Sequence, residues 1–352
     1  MPKHLMEGSH ALAESAIQAG CRFYAGYPIT PSTEILEYMS VRLPQVGGVC
    51  INAESEIEAV HMVWGAAATG ARAMIASTGQ GISLMQEAFA ELANAQIPIV
   101  AVNMMRGQGD YFQATRGGGH GDYRFIVLAP ATVQEAADVA SLAFDLADKW
   151  RNPVTILGDF LLAHTSEAVE LRRPNGENAA AARPWTVGNR HDREGITLSP
   201  LCGPKKLAMS FGAHLMAVTE KLPAIRAAEV RYESGYLHDA ELAVVAYGSP
   251  ARFVKHAVLQ ARKAGLRVGW LRPISLWPFP SQAVAEAAAH VRAIAVFELS
   301  AGQMIEDVEL AVAGRVPVHA IGGVSHDSSG FGVGPLLRSH EVLGRIESVY
   351  PG

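Results

Sequence analysis

The segment INAESEIEAVHMVWGA, residues 51–66, carries the clearest fold signal in this chain. Its opening apolar residues, up to Ala53, are typical of a buried parallel strand. Ser55 and Glu58 then have the spacing of a capping box, which predicts that a helix begins at once. Glu56 would lie in the first turn of that helix, just beyond the carboxyl end of a strand. Open α/β sheets bind their ligands at this position.

Glu56 also has a purely structural explanation. The dipole of a helix favours any carboxylate in its first turn, and Glu54 and Glu58 could serve that purpose equally well. The spacing alone therefore indicates a candidate site without assigning a function to the side chain.

The composition bounds the class of protein. With 352 residues the chain exceeds one ordinary core, so two domains are expected. Hydrophobic residues make up 49% and charged residues 18%, which is typical of a compact globular protein and not of a disordered one. The formal net charge of −5 provides no electrostatic footprint for nucleic acid, which is therefore not expected as a partner.

Neither a membrane span nor a secretory signal is expected. No uninterrupted apolar run approaches the length of a transmembrane helix, and the N-terminal MPKHLMEGSHALAES lacks an apolar core, so a soluble, cytoplasmic protein is predicted. The cysteines Cys21, Cys50 and Cys202 are far apart and form no CxxC motif. Neither a disulfide framework nor an iron–sulfur cluster can therefore be built from this chain alone.

Strands and helices alternate along the first 160 or so residues, which predicts an α/β fold with a doubly wound parallel sheet. Besides the strand ending at Ala53, the expected elements are strands 21–27, 71–77, 97–105, 125–131 and 153–159 and helices 7–20, 55–70, 82–96 and 132–150. A second, smaller α/β unit is predicted from strands 242–249, 267–273, 293–300 and 316–322 and helices 250–264, 281–291 and 302–313. We divide the chain into domains 1–165 and 241–352, joined by a crossover linker, 166–240, whose RRPNGENAAAARPW segment is polar and broken by proline.

Thr30 lies between another predicted strand, residues 21–27, and the helix that follows it. It falls at the cap position and Pro31 at the first helical position, which is a complete structural explanation for Thr30. Two such turns on one side of a sheet can nevertheless face a common crevice. A third turn, which begins with the hydroxyl pair Ser77 and Thr78 and ends at Gly81, is either a weak anion cradle or a turn that needs glycine.

A long loop, residues 106–124, follows the strand 97–105 and holds six glycines, three arginines and a histidine. Loops of this length inside a compact domain are usually functional or disordered, and the loop's three aromatic residues favour order. Arg106 directly follows an apolar strand, so its guanidinium should emerge at the same sheet edge as Thr30 and Glu56. Such a group suits the recognition of a carboxylate or a phosphate.

The other charged residues of this loop have structural explanations of similar or greater weight. Arg116 and Arg124 are explained equally well by surface salt bridges. A histidine among glycines, such as His120, more commonly organises a loop by a hydrogen bond than donates a proton in a reaction.

Several runs of the sequence carry a resemblance to a known family: GCRFYAGYPITPSTE, AESEIEAV, DYFQATRGGGHGDYR followed by IVLAP, FDLADKWRNPV, LRPISLWPFP and AGQMIEDV. They resemble the α subunit of the 2-oxoacid:ferredoxin oxidoreductases, most of all its branched-chain (2-oxoisovalerate) type. The resemblance covers roughly residues 5–170 and 241–320. It implies a pyrimidine-binding domain of a thiamine-diphosphate enzyme, followed by a transketolase C-terminal-like domain.

The resemblance implies a division of labour between chains. The family decarboxylates a 2-oxoacid oxidatively, forms an acyl-CoA from coenzyme A and passes electrons to ferredoxin. A β subunit would bind the diphosphate with its Mg²⁺, and γ and ferredoxin-like subunits would complete the complex, with the [4Fe-4S] clusters on partner chains. No metal ligand is expected on this chain, where Gly158-Asp159-Phe160 matches only part of a diphosphate signature and is better explained as the end of a buried strand.

The resemblance also assigns roles to single residues. Glu56 resembles the carboxylate that hydrogen-bonds N1′ of the cofactor's aminopyrimidine, where a shared proton prepares the cofactor to attack the 2-oxoacid carbonyl. Thr30 resembles the hydroxyl near the reacting carbon, and Arg106 the guanidinium that binds the substrate carboxylate. His120 and Asp122 would pack near the pocket without a chemical step. Four further residues are expected to contact the cofactor: Tyr27, Pro28, Ser77 and Thr78.

One departure from the family pattern concerns the residues between Arg106 and Asp110. Only Gly107-Gln108-Gly109 stands where the family carries a longer Gly- and Pro-rich loop. The change leaves open whether the substrate is a branched aliphatic or an aryl or other bulky 2-oxoacid. The stretch 324–352 also lacks a counterpart, and its glycines and serines suggest an ordered tail or a partner contact.

Two other functions stay open from the sequence. The chain could belong to a non-redox thiamine-dependent 2-oxoacid decarboxylase, which would release an aldehyde. It could also be a non-catalytic assembly subunit whose sheet only braces its partners.

Overall fold

The structure is a computed structural model that describes residues 3–171, 185–187, 211–324 and 338–351. Its helices are α1 (Gly8–Gln18), α2 (Thr33–Gln45), α3 (Glu56–Ala68), α4 (Gly79–Leu84), α5 (Gln86–Asn94), α6 (Tyr111–Arg116), α7 (Val133–Trp150), α8 (Phe160–His164), α9 (Phe211–Ala228), α10 (Pro250–Lys263), α11 (Ser281–Ala288), α12 (Met304–Val312) and α13 (Ser339–Ser348). Its strands are β1 (His4–Glu7), β2 (Cys21–Gly26), β3 (Val49–Asn52), β4 (Arg72–Ser77), β5 (Val100–Met105), β6 (Ile126–Leu128), β7 (Val154–Asp159), β8 (Ser166–Val169), β9 (Tyr232–Gly235), β10 (Leu242–Ala246), β11 (Val268–Pro273), β12 (Ser275–Trp277), β13 (Ala293–Phe297) and β14 (Val318–Ala320).

The largest sheet has seven strands in the order β12-β6-β7-β5-β4-β2-β3. Its neighbouring strands are parallel except for β12, which pairs antiparallel with β6. All six residues of β5 and of β7 are buried, as expected for strands covered on both faces. Helix α1 packs against both α2 and α7, and α3, α4 and α5 pack against one another. The predicted doubly wound parallel sheet is therefore confirmed.

The order of the strands creates a crevice beside β2. From β2 the chain moves outward to β3 and then returns through α3 to β4, on the other side of β2. Such a reversal opens a crevice at the carboxyl ends of the strands, where α/β sheets bind ligands. The segments that follow β2, β3 and β4 all start at this end.

A second sheet has five strands in the order β14-β13-β10-β11-β9, parallel except for β9. We call this sheet, with α10, α11, α12 and α13, the second unit. Its presence confirms the predicted second α/β unit. Val342 and Ile346 of α13 belong to its core, so part of the predicted C-terminal tail is an ordered helix. Residues 325–337 lie outside the described residues.

Four local predictions are corrected by the structure. The expected helix 82–96 is two helices, α4 and α5, which meet at Met85. Strand β12, which follows β11 in the chain, was not predicted, and it joins the sheet of seven strands instead of the second unit. The segment 166–240, expected to be a linker, contains β8, α9 and β9. Most of its RRPNGENAAAARPW stretch lies outside the described residues.

The fourth correction concerns Thr30. The prediction that Thr30 caps a helix with Pro31 at its first position is wrong, because α2 begins at Thr33 with Ser32 as its N-cap residue. The N–H and the hydroxyl of Ser32 both donate to the Ile29 carbonyl, each at 2.8 Å. This tight turn delays the start of the helix, so Thr30 lies in the segment between β2 and α2.

The two sheets are joined at Asp159, the last residue of β7. Its buried carboxylate accepts hydrogen bonds from the N–H of Leu162 at 2.9 Å and from the N–H of Ser249 at 3.0 Å. The Ser249 hydroxyl also donates to it, at 2.5 Å. The prediction that Asp159 marks the end of a buried strand is therefore confirmed.

Candidate active site

Glu56 is the first residue of α3, and its neighbours form the cap of that helix. The Ser55 hydroxyl accepts a hydrogen bond from the Glu58 N–H at 3.3 Å, as the capping box predicts. The Glu58 carboxylate accepts from the N–H of Glu54 at 3.0 Å, one residue earlier than in the usual box. Because Ser55 and Glu58 satisfy the start of the helix, Glu56 is not needed for capping.

Glu56 is also the buried one of the three acidic residues in this segment, with 5% of its surface exposed, whereas Glu54 and Glu58 are exposed. The hydroxyl of Ser77, at the end of β4, donates to its Oε1 at 3.3 Å. Within the ranges that the structure describes, Glu56 takes part in no ion pair with Lys, Arg or His. Carboxylates are rarely buried unless they are paired, because burial removes the water that stabilises their charge. A buried carboxylate without a cationic partner, at the crevice where α/β sheets bind ligands, is a candidate functional residue.

Gly81 brings the backbone of α4 against this carboxylate. A Cβ atom at position 81 would lie 2.0 Å from the Ser77 hydroxyl oxygen and 2.3 Å from Glu56 Oε1. At the other end of the same turn, a Cβ atom on Gly79 would lie 2.8 Å from both carboxylate oxygens of Asp110. Gly79 and Gly81, which were predicted to lie in a turn before the next helix, instead lie in the first turn of α4. Glycine is needed at both positions because a carboxylate lies against each of them. This arrangement favours the structural explanation of the turn over an anion cradle, since a phosphate there would meet charges of its own sign.

Arg106 and Thr30 come together as predicted. The Nε–H of Arg106, directly after β5, donates to the carbonyl of Thr30 at 3.2 Å. The contact uses the backbone of Thr30, so it does not occupy the Thr30 hydroxyl. Thr30 follows β2 and Arg106 follows β5, with β4 between these strands, so two of the three residues predicted at one sheet edge are in direct contact.

Asp110 and Asn103 lie beside this pair and were not predicted as site residues. The side-chain amide of Asn103 donates to Asp110 at 3.2 Å. Burial raises the pKa of the Asp110 carboxyl, against the lowering effects of the Asn103 hydrogen bond and the Arg106 charge. The sequence signal for this cluster was a polar residue, Asn103, inside the otherwise apolar strand VAVNMM.

The remaining predicted cofactor contacts are placed around the crevice. Tyr27 and Pro28 are exposed in the segment after β2, and Tyr27 has 41% of its surface accessible. Ser77 contacts Glu56, whereas the Thr78 hydroxyl donates to the Met104 carbonyl at 2.6 Å and so ties β4 to β5. The cofactor contacts of these residues stay predictions.

Arg116, His120 and Arg124 of the loop 106–124 have structural partners. Arg116 donates to both carboxylate oxygens of Asp307, at 3.0 and 3.1 Å, and Arg124 donates to the Tyr123 carbonyl at 2.7 Å. His120 Nε2 lies 3.0 Å from a carboxylate oxygen of Glu91. These contacts support the salt-bridge explanation of Arg116 and the loop-organising explanation of His120. The loop is ordered, as predicted, and contains α6.

Two features are absent from the described residues. In that part of the chain, no group of three or more His, Cys, Asp or Glu side chains could hold a metal ion. None of the helices in the described ranges has both the length and the apolar character needed to cross a membrane.

Comparison with known proteins identifies relatives along the whole chain. Residues 14–233 match the family model "Pyruvate flavodoxin/ferredoxin oxidoreductase, thiamine diP-bdg", and residues 240–329 match "Pyruvate:ferredoxin oxidoreductase core domain II". The chain is 45% identical to the ketoisovalerate oxidoreductase subunit VorB of Methanothermobacter thermautotrophicus, over 99% of this chain and 98% of that one. It is 35% identical to the 2-oxoglutarate synthase subunit KorA of Methanothermobacter marburgensis, over 98% of both chains.

A solved structure shares the fold. The 2-oxoglutarate:ferredoxin oxidoreductase from Magnetococcus marinus superimposes with a TM-score of 0.82 at 22% sequence identity. The match covers 99% of the present chain and 65% of that longer one. At this identity the likeness supports the fold of the present chain.

Proposed function

This chain belongs to the 2-oxoacid:ferredoxin oxidoreductase family, and on that premise we propose that it is the subunit that binds the aminopyrimidine of thiamine diphosphate and the 2-oxoacid substrate. The resemblance predicted from the sequence is confirmed by the family models and by the 45% identical relative. The observation that carries the proposal is the buried, unpaired carboxylate of Glu56 at the crevice.

The surroundings of Glu56 fit the aminopyrimidine ring. Thiamine diphosphate, when bound, supplies the nucleophilic carbon and the electron sink that decarboxylation of a 2-oxoacid requires. Glu56 would hold a proton at N1′ of the ring, which is a task for a carboxylate that no cation neutralises. The Ser77 hydroxyl donates to Oε1 of Glu56, and the backbone of Gly81 lies close to the same oxygen. These contacts would leave Oε2 of Glu56 for the ligand.

Arg106 and Thr30 would bind the substrate in the same crevice. We propose that the Arg106 guanidinium binds the carboxylate of the 2-oxoacid and that the Thr30 hydroxyl lies near its reacting carbonyl. A dicarboxylate such as 2-oxoglutarate would call for a second cation, but Arg116 of the same loop is paired with Asp307 and Arg124 donates to the Tyr123 carbonyl. The proposal is therefore a 2-oxoacid with a branched aliphatic or an aryl or other bulky side chain.

Companion chains would complete the active site. Beside Glu56, the exposed face of α3 carries Ile57 and Met62, which are 47% and 39% exposed, and α4 carries Leu84, which is 53% exposed. Apolar side chains around a polar crevice fit a surface that another chain covers. We propose that this companion binds the diphosphate with its Mg²⁺, that [4Fe-4S] clusters lie on partner subunits, and that coenzyme A and ferredoxin complete the reaction.

The assembled complex provides the test of this proposal. We expect it to contain iron and acid-labile sulfide and to reduce ferredoxin or a viologen dye only when coenzyme A and a 2-oxoacid are both present. In a substrate panel, 2-oxoisovalerate or an aryl 2-oxoacid should be turned over faster than 2-oxoglutarate. Release of an aldehyde without dye reduction would instead indicate a non-redox decarboxylase. An active complex whose kcat does not depend on Glu56 would indicate an assembly role for this chain.

Gly81→Ala should weaken binding of thiamine diphosphate by about tenfold, equivalent to about 1.4 kcal/mol. The added Cβ atom would overlap Ser77 and Glu56 Oε1, so the carboxylate would have to leave its place. Isothermal titration calorimetry, with thiamine diphosphate titrated into the cofactor-free complex, measures this affinity. Gly344→Ala is the control, because a Cβ atom at that position of α13 meets open space and should leave the affinity unchanged. Equal affinity of both variants would contradict the placement of the cofactor against Glu56.

A further inference from the structure

The short segment after Arg106 is held by the second unit. Gln108 is fully buried, with 0% of its surface exposed. Its N–H donates to the Leu299 carbonyl at 3.0 Å, and its Oε1 accepts from the Leu299 N–H at 2.8 Å. Its Nε2 donates to the Tyr247 carbonyl at 3.0 Å, and its carbonyl accepts from the Tyr247 hydroxyl at 3.2 Å. All four polar groups of Gln108 are therefore bonded to two residues that follow β13 and β10.

This attachment leaves Arg106 little freedom. Met105 is the last residue of β5 and is fixed in the sheet of seven strands, so only Arg106 and Gly107 separate two fixed points. Consecutive Cα atoms lie about 3.8 Å apart, so a span of two free residues has few conformations. The place of the Arg106 backbone is thus set from β5 on one side and from the second unit on the other.

We propose that Gln108 is a positioning residue through which the second unit places the guanidinium of Arg106 for the substrate carboxylate. The inference rests on the function proposed above for Arg106. It assigns a part in substrate binding to the second unit, which contributes none of the residues predicted to contact cofactor or substrate. The shortness of the Gly107-Gln108-Gly109 segment is then functional, because a longer loop would not transmit the position of Gln108 to Arg106.

Gln108 could either only hold the loop 106–124 against the second unit or also position Arg106, and these two roles have to be distinguished. The loop has other contacts with the second unit that do not border Arg106: Arg116 pairs with Asp307, and Gln303 Nε2 donates to the Gly109 carbonyl at 2.7 Å. If Gln108 only held the loop against the second unit, loss of the Arg116–Asp307 pair should have a comparable effect on substrate binding. If it positions Arg106, only changes between Arg106 and Gln108 should affect the KM for the 2-oxoacid.

The decisive variant adds two glycines between Gly107 and Gln108 in the assembled complex. Every contact of Gln108 can persist, and the longer loop costs little stability, but Arg106 is uncoupled from the second unit. We expect the KM for the 2-oxoacid to rise at least about tenfold, with a smaller change in kcat, since misplacement of a binding group by about 1 Å can have such an effect. The KM for coenzyme A should not change. The same insertion between Gly314 and Arg315, in the turn after α12, is the control and should leave both KM values unchanged.

Two further variants separate the possible causes. Gln108→Met, of similar volume, should raise the KM for the 2-oxoacid in the natural protein and have no further effect in an Arg106→Met background, because both changes act through one group. Asp307→Asn should lower the melting temperature without changing that KM. An unchanged KM after the insertion, or additive effects of Gln108→Met and Arg106→Met, would overturn the inference. If Arg106→Met alone left the KM unchanged, the proposed function of Arg106 would fail instead.

Discussion

Glu56→Gln is expected to lower kcat of the assembled complex by a factor of about 10² to 10⁴, the range that loss of a positioned acid or base usually produces. Glutamine has nearly the shape of glutamate, and its amide oxygen can still accept the Ser77 hydrogen bond. It carries no negative charge, however, with which to hold a proton at N1′ of the aminopyrimidine. The loss should therefore persist when cofactor and substrate are both saturating.

Glu56→Gln should not lower the thermal stability of the complex. The carboxylate of Glu56 forms no ion pair within the described part of the chain, so its replacement by an amide of nearly the same shape breaks no salt bridge. Thermal unfolding of the complex, measured beside kcat, checks this expectation. Glu58→Gln is the matched control in the same helical turn, because Glu58 is exposed and its carboxylate accepts a hydrogen bond in the helix cap. It should change stability by less than about 1 kcal/mol and leave kcat unaltered.

The two variants together decide the role of the subunit. Unchanged kcat in Glu56→Gln would favour an assembly subunit over a catalytic one. A similar loss in Glu58→Gln would show that the start of α3, and not the buried carboxylate, limits the reaction.

The position of Glu56 could be predicted from the sequence because it depends on local patterns. An apolar run followed by the capping-box spacing of Ser55 and Glu58 fixes where β3 ends and α3 begins. Arg106 could be placed near Thr30 for a similar reason, since both follow parallel strands and the carboxyl ends of such strands share one edge. Local patterns failed at Thr30 itself, where the turn made by Ser32 and Ile29 outweighs the preference of Thr-Pro for a helix start.

Contacts between distant segments could not be predicted. Gln108 stands between two glycines in a loop, and nothing in its neighbourhood along the chain signals that it is fully buried against Tyr247 and Leu299. The pairing of β12 with β6 likewise joins residues far apart in the sequence. Both features depend on how the two sheets dock, which hydrophobic periodicity does not encode.

Arg106→Met should raise the KM for the 2-oxoacid by about 10-fold to 100-fold, because loss of a charge-assisted hydrogen bond to a carboxylate costs about 1.5 to 3 kcal/mol. Methionine retains the apolar stem of the side chain and removes the guanidinium. The KM of Arg106→Lys should lie between those of the natural protein and Arg106→Met. An ammonium keeps the charge but lacks the planar pair of donors that matches a carboxylate. Initial rates of dye reduction against 2-oxoacid concentration, at saturating coenzyme A, provide the KM.

Arg124→Met is the matched control for this prediction. Arg124 lies on the same loop, but its guanidinium donates to the Tyr123 carbonyl, so its removal should change the KM by less than about twofold. The comparison separates loss of a substrate contact from a general loosening of the loop, because both arginines bond to backbone carbonyls while only Arg106 reaches Thr30. If Arg124→Met raised the KM and Arg106→Met did not, the substrate carboxylate would bind away from Thr30. The hydrogen bond between Arg106 and Thr30 would then serve only to join β5 to the segment after β2.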